Sequence, residues 1–252
     1  MAHKSRSAAV DIGNSRAKAL GPEGESFATD YSAGWERTAS EFIHGLKPDA
    51  IGISSVSSIR YEQLLMALDL PPNYIYNATK LLDRTRFIKW KHIAGAGADR
   101  ALGIAGAAAM FPPPLITIDC GTAITINLLA KDNIFAGGTI MPGLKTQISA
   151  LANSTDQLRE ISIEHRDIPL GMNTDDAILA GVLFGAAGSV INIVERIERR
   201  ITERPTRLVL TGGHARDMQF ALRQWRNIDI IPDLVLRGLL RLLEEQITPS
   251  GN

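Results

Sequence analysis

The chain has 252 residues, 45% of them hydrophobic and 21% charged, enough for one large domain or two smaller ones with an ordinary core. Its 27 Lys and Arg balance 27 Asp and Glu, which argues against a nucleic-acid partner, although a few backbone N–H groups and one Lys suffice for a small phosphate. The single Cys120 excludes an internal disulfide or a Cys/His zinc set, and residues 1–9 lack the apolar run of a signal peptide, so a reducing cytoplasm is the expected location.

Residues 7–12 read as a buried strand entering a Gly turn, with 16–20 as the return strand. Helices are expected at 35–46 and 58–68, with a strand at 50–54 between them. An Ala-rich helix over 98–110 stops at Pro112-Pro113-Pro114, the best candidate boundary. The pattern then restarts with strands at 115–119, 124–130 and 134–140 and helices near 143–153 and 174–203. Strands at 207–211 and 228–231 alternate with helices at 215–223 and 234–246 to close the chain. Such a series, run twice, predicts two related α/β domains, residues 1–114 and 115–252. Residues 177–194 carry no charge over eighteen positions, the length at which a membrane helix becomes a candidate. Their Gly181, Gly185 and Gly188, and the charged run that follows, fit a buried or subunit-packing helix better, so no membrane is expected.

Two turns stand at equivalent places in the halves. Asp11-Ile12-Gly13-Asn14-Ser15 opens the first, and Asp119-Cys120-Gly121-Thr122-Ala123 opens the second. A strand ending Asp-x-Gly suits phosphate and cation chemistry. The carboxylate is a hard ligand, Gly permits unusual backbone conformations and close approach, and the following amide or hydroxyl adds a donor. Lys18 could reach the phosphates as a point charge. Either turn alone reads as a plain hairpin, but the pair is harder to dismiss. A Walker loop is absent, because Leu144 separates Gly143 from Lys145, and Gly95-Ala96-Gly97 continues to Arg100 where a dinucleotide fingerprint needs Gly.

Gly97-Ala98-Asp99-Arg100 could place a proton acceptor beside an anion-holding Arg, or Asp99 could serve only the first turn of a helix. The run 137–143 could approach a nucleotide or be a strand-to-helix turn. Asn173 or Thr174 could cap the long helix or meet a ligand. Thr211-Gly212-Gly213 suits close approach to an adenosine, whereas His214 reads as a surface or structural residue.

In order along the chain these motifs resemble the type III pantothenate kinases of the acetate and sugar kinase/Hsp70/actin superfamily. They are Asp11-x-Gly13-Asn14-Ser15 with Lys18, Gly97-Ala98-Asp99-Arg100, Asp119-x-Gly121-Thr122-Ala123, Gly138-x-Ile140-x-Pro142-Gly143, Gly171-x-Asn173-Thr174 with Gly181, and Thr211-Gly212-Gly213. The resemblance implies two actin-like (ribonuclease H-like) ATPase domains with the active site in the cleft between them. It also implies ATP-dependent phosphorylation of pantothenate to 4′-phosphopantothenate, the first step of coenzyme A synthesis. By the same resemblance Asp11, Ile12, Gly13, Asn14, Ser15, Arg16, Ala17 and Lys18 would cradle the ATP phosphates with Mg²⁺, and Thr122 would add a nucleotide contact. Asp119 would bind a monovalent cation, K⁺ or NH₄⁺. Asp99 would accept the proton of the substrate hydroxyl within a substrate site formed by Gly97, Ala98, Asp99 and Arg100. Thr174 would reach pantothenate across a homodimer interface.

The family carries a Tyr and then Asn-Pro ahead of the Gly-x-Asp-Arg motif, where this chain reads Trp90-Lys91-His92-Ile93-Ala94-Gly95-Ala96. Trp90 can stack on a substrate but lacks the phenolic oxygen. Two alternatives therefore stand beside the pantothenate assignment, a kinase of another small alcohol and a non-catalytic binding relative.

Overall fold

The structure, a computed structural model, describes residues 6–90, 97–201 and 207–247. Its residues divide into two compact units, 1–110 with 234–252, and 111–233.

In the first unit the apolar run β1 (Ser7–Ile12) is buried along nearly its whole length, as a central strand must be. It pairs antiparallel with β2 (Ala17–Leu20), which pairs with β3 (Ser26–Thr29). On its other side it pairs parallel with β4 (Ala50–Ser55), followed by β5 (Ile75–Asn77), so the sheet order is β3-β2-β1-β4-β5. Helices α1 (Trp35–Leu46) and α2 (Ser58–Leu68) share one apolar cluster with this sheet. In α1, Trp35, Ala39, Ile43 and Leu46 recur at helical spacing and are buried, which places one stripe against Val10, Ile51 and Ile53. The side chain of Ser57 caps α2 by accepting from the Arg60 N–H at 3.4 Å. Successive strand residues face opposite ways, so Gly52, between Ile51 and Ile53, looks to the other face. There it meets Leu239. On that side α8 (Leu234–Ile247) packs on β1 and β4, α3 (Ala78–Arg84) packs on β4 and α8, and α4 (Ala98–Ala108) lies against α8.

The second unit repeats the arrangement. Strands β6 (Leu115–Cys120), β7 (Ala123–Ala130) and β8 (Ile134–Pro142) form the antiparallel half, and β9 (Arg207–Thr211) and β10 (Asp229–Ile230) the parallel half, in the order β10-β9-β6-β7-β8. Counted from its own first strand, each sheet has the same order. Helices α5 (Leu144–Ser154), α6 (Thr174–Glu198) and α7 (Ala215–Leu222) complete this unit. Helix α6 is long and apolar enough to cross a membrane by length and composition, with a mean hydropathy of 2.1 over its most apolar window. Its Val182, Leu183, Ala186, Val190 and Val194 nevertheless belong to the second unit's core, beside Ile118, Ile126 and Leu210.

The last helix, α8, expected within a domain of residues 115–252, packs instead on the first unit against α4, β1 and β4. A Cβ on Gly106 would strike the Leu234 carbonyl, and one on Gly238 the Leu102 carbonyl, so two glycines let the α4 and α8 backbones touch. The predicted helices 98–110 and 174–203 end earlier, at Ala108 and Glu198. Strands β3 and β5 and helix α3 have no counterpart among the elements expected from the sequence. They are short, and β3 alternates exposed and half-buried positions with little apolar signal.

Candidate active site

Both Asp-x-Gly turns join the first two strands of their sheets. Asp11 lies opposite Lys18 on β2 and Ser54 on β4, while Asp119 lies opposite Thr125 on β7 and Thr211 on β9. Each Asp therefore has a buried hydroxyl residue at the same register position on its parallel neighbour, with Ser54 2% and Thr211 4% exposed. Each turn is closed by its glycine N–H, Gly13 donating to the Arg16 carbonyl three residues on at 3.1 Å and Gly121 to the Ala123 carbonyl two residues on at 3.0 Å, so the second turn is one residue tighter. The expected unusual backbone is absent from both, since the described glycines with positive φ are Gly24, Gly34, Gly137 and Gly212. A Cβ at Gly13 would come no closer than 3.4 Å to any neighbouring atom considered, and at Gly121 no closer than 3.7 Å. Neither packing nor backbone conformation requires Gly there. What its absence of a side chain provides is open approach to the turn.

In the first turn Ile12 and Ala17 are buried, whereas Asn14, Ser15 and Arg16 are exposed. Two residues outside every sequence motif grip it. The Tyr31 hydroxyl donates to the Gly13 carbonyl at 2.6 Å, and Arg60 Nη1 donates to the Asn14 carbonyl at 3.3 Å. The Arg60 guanidinium lies over the Tyr31 ring, 3.6 Å from its centroid. Tyr31 follows a weak edge strand and Arg60 opens a helix, so no local pattern marks either.

Also in this unit, Gly97 precedes α4, and Asp99 stands in its first turn with Oδ1 accepting from the Arg100 N–H at 2.9 Å. Asp99 is thus a first-turn acceptor, as one of the two sequence readings had it, and this leaves Oδ2 available for other chemistry. Gly97, Ala98, Asp99 and Arg100 are all half-buried. The Trp90 indole N–H donates to the Leu82 carbonyl at 2.9 Å, which satisfies one of the last carbonyls of α3. Towards a ligand Trp90 therefore offers a ring face and no donor. The remainder of its divergent segment, 91–96, lies outside the described residues.

In the second unit three strand ends converge on the Asp119 turn. Gly143, at the start of α5, donates its N–H to the Thr122 carbonyl at 2.9 Å, and the Thr146 hydroxyl donates to the same oxygen at 2.6 Å. Gly212, with φ of +94°, leaves β9 so close to the turn that a Cβ would overlap Asp119 Oδ1 and come within 2.6 Å of the Cys120 carbonyl. Left-handed backbone and lack of space both require glycine there. The Asp119 carboxylate and the Cys120 carbonyl, both hard oxygens, thereby lie together against Gly212. Among the described residues no group of three or more His, Cys, Asp or Glu could hold a metal by itself. His214 is structural, with its N–H on the Cys120 carbonyl at 2.9 Å and Nδ1 2.8 Å from Asp217. Burial, with Asp119 and Asp217 adding to it, pushes the Cys120 thiol far above its ordinary value. At the entry to α6 it is Asn173 that caps, accepting from the Asp176 N–H at 2.9 Å, while Thr174 is exposed.

A model of the type III pantothenate kinase family matches residues 8–196. The chain belongs to that family. A type III pantothenate kinase from Dehalococcoides mccartyi (strain CBDB1) is 30% identical over 248 residues, 92% of each chain. Among solved structures, a conserved Baf-family protein from Campylobacter jejuni superposes with a TM-score of 0.63 at 21% identity, covering 95% of this kinase and 98% of that chain. The activator of 2-hydroxyisocaproyl-CoA dehydratase from Clostridium difficile, with bound ADPNP, gives 0.54 at 14% identity, covering 98% and 100%. These likenesses carry the fold, the two-sheet α/β architecture of the actin-like ATPases and kinases. The family match spans the Asp11 turn, the Gly97–Arg100 segment, the Asp119 turn and the entry to α6 of the kinase.

Proposed function

We propose that this kinase transfers the γ-phosphoryl group of ATP to the primary hydroxyl of pantothenate, yielding 4′-phosphopantothenate in coenzyme A synthesis. The observation that carries the reading is the repeated Asp-x-Gly turn, at the same register against the parallel neighbour in two like sheets, with glycines that no described neighbour requires. Residues 11–18 hold the ATP phosphates through backbone N–H groups and Lys18, and Thr122 adds a nucleotide contact. Asp11 suits Mg²⁺, which binds through one or two carboxylates plus substrate phosphates and needs no protein cage. Asp119, with the Cys120 carbonyl beside it across Gly212, suits a monovalent cation such as K⁺ or NH₄⁺. Such cations would neutralise charge on the phosphates.

Gly97 to Arg100 bind pantothenate. Asp99, its Oδ1 fixed by the Arg100 N–H, takes the hydroxyl proton on Oδ2 as the oxygen attacks. Thr174 contacts the substrate from a subunit interface in a homodimer. Supporting this are the exposed Leu170 and Met172 just ahead of it, 75% and 89% accessible, and the small exposed face of Ala177, Gly181, Gly185 and Gly188 on α6. The working location is the cytoplasm, in keeping with the single Cys120.

The test is ADP release with ATP, Mg²⁺ and pantothenate, in potassium and again in sodium. Turnover that depends on pantothenate and is faster in potassium is expected. Asp99→Asn should abolish it while ATP binding persists. Folded protein that binds ATP and turns over pantothenate in neither salt would overturn the reading in favour of another alcohol or a binding role.

A further inference from the structure

A loop that cradles phosphates with its amides must turn its peptide planes so that N–H groups face the ligand. In a trans peptide the C=O and N–H point in opposite directions, so gripping the carbonyl aims the amide. The one described cis bond is Pro113-Pro114, which leaves the peptides of the first turn trans. Tyr31 holds the Gly13 carbonyl, and so the plane carrying the Asn14 N–H. Arg60 holds the Asn14 carbonyl, and so the plane carrying the Ser15 N–H. The two grips act as one unit, because the guanidinium is stacked on the phenol ring. Tyr31 in turn stands edge-on to Trp35, with centroids 5.1 Å apart and planes at 86°. Trp35 is buried at 5% exposure in the first unit's core. A rigid path therefore runs from that core through a phenol to two consecutive peptide groups of an otherwise exposed turn.

From this geometry we infer that Tyr31 and Arg60 are positioning residues for the nucleotide, a clamp that presents the Asn14 and Ser15 amides to the ATP phosphates. The inference deepens the proposed function and rests on its assignment of residues 11–18 to ATP. Burial raises the Tyr31 phenol above its ordinary value and Asp11 adds to this, while Arg60 opposes it, so the hydroxyl stays a donor at neutral pH. Arg60 supplies more than a hydrogen bond, since its positive charge lies against the turn that would receive the phosphates. Lys cannot reproduce the planar stack.

The measurement is ATP affinity and steady-state kinetics of the full-length enzyme for Tyr31→Phe, Arg60→Gln and the double variant, with Lys18→Ala as reference and a thermal melt of each. Expected is a rise of about three- to ten-fold in the ATP dissociation constant and KM for each single variant, the range a lost backbone hydrogen bond gives. The pantothenate KM should stay within about two-fold, just below the effect of losing even a weak hydrogen bond. The double variant should be little worse than Arg60→Gln, because the grips are coupled. Arg60→Lys should fall between wild type and Arg60→Gln. If Lys18→Ala weakens ATP but both single variants bind it normally, the clamp is refuted and the ATP assignment survives. If Lys18→Ala also binds ATP normally, both fall. Equal losses for ATP and pantothenate, tracking a lowered melting temperature, would make the pair merely structural and overturn the inference. Should Tyr31→Phe fail to fold, Arg60→Gln and Arg60→Lys decide alone, since Arg60 is only half-buried at a helix end.

Discussion

Two glycines of α4, three residues apart, separate chain propensity from packing. Gly103 is buried, yet a Cβ there would have nothing within 4 Å. At Gly106 the same Cβ would overlap the Leu234 carbonyl oxygen and lie 3.0 Å from the Gly238 N and 3.1 Å from the Leu234 carbonyl carbon. All three neighbours are backbone, so no side chain can swing aside and α8 itself must move. Gly→Ala inside a helix gains about 0.8–1 kcal/mol in propensity at either site. Gly103→Ala should therefore stabilise by up to about 1 kcal/mol. Gly106→Ala receives the same gain but incurs overpacking, typically about 1–3 kcal/mol and towards the upper end where backbone cannot yield. The propensity gain cancels in the comparison, so Gly106→Ala should sit about 2–3 kcal/mol below Gly103→Ala on those two scales. Urea unfolding read by circular dichroism measures this as a shift in midpoint at constant slope. Equal midpoints for the two variants would refute both the close crossing and the placement of α8 on the first unit.

Three further outcomes follow from the same structure. Glu198 is 6% exposed and takes a bidentate Arg226 at 2.9 and 3.0 Å, so Arg226→Met should cost on the order of 3 kcal/mol. A urea midpoint unchanged from that of the wild type would contradict this. Cys120 should not react with a disulfide thiol reagent at pH 8 until guanidinium is added, because burial holds its thiol protonated; rapid native labelling would refute it. Trp90→Phe keeps a ring but frees the Leu82 carbonyl at the end of α3, and should lower stability by about 1 kcal/mol; an unchanged urea midpoint would show that the bond contributes nothing.

What could be read from the chain alone was what local physics writes into it. The mainly apolar runs 7–12 and 115–119 become central strands because a strand buried on both faces must be largely apolar. The repeated Asp-x-Gly and its return strand announced the duplication, since a hairpin is decided within a few residues. The six ordered motifs carried the family, because their order and spacing along the chain are legible without any structure. In those turns Gly serves open approach and not an unusual backbone, since Gly13 and Gly121 have no positive φ; at the Asp119 turn the left-handed conformation belongs to Gly212, remote in sequence and pressed against the Asp119 carboxylate.

Tertiary structure alone decided the rest. Helix α8 carries an amphipathic stripe that would suit either sheet, and its place on the first unit depends on the approach of Gly238 to Leu102. The alignment of Asp11 with Ser54 and of Asp119 with Thr211 depends on the register of parallel strands, which hydrogen bonds between remote segments determine. Tyr31 and Arg60 come together because β3, α1 and α2 fold over the same cluster, and neither has a neighbour in sequence that reveals it. Local patterns select elements within a few residues, whereas the faces those elements share are selected by burial over the whole unit, which no short stretch of chain contains.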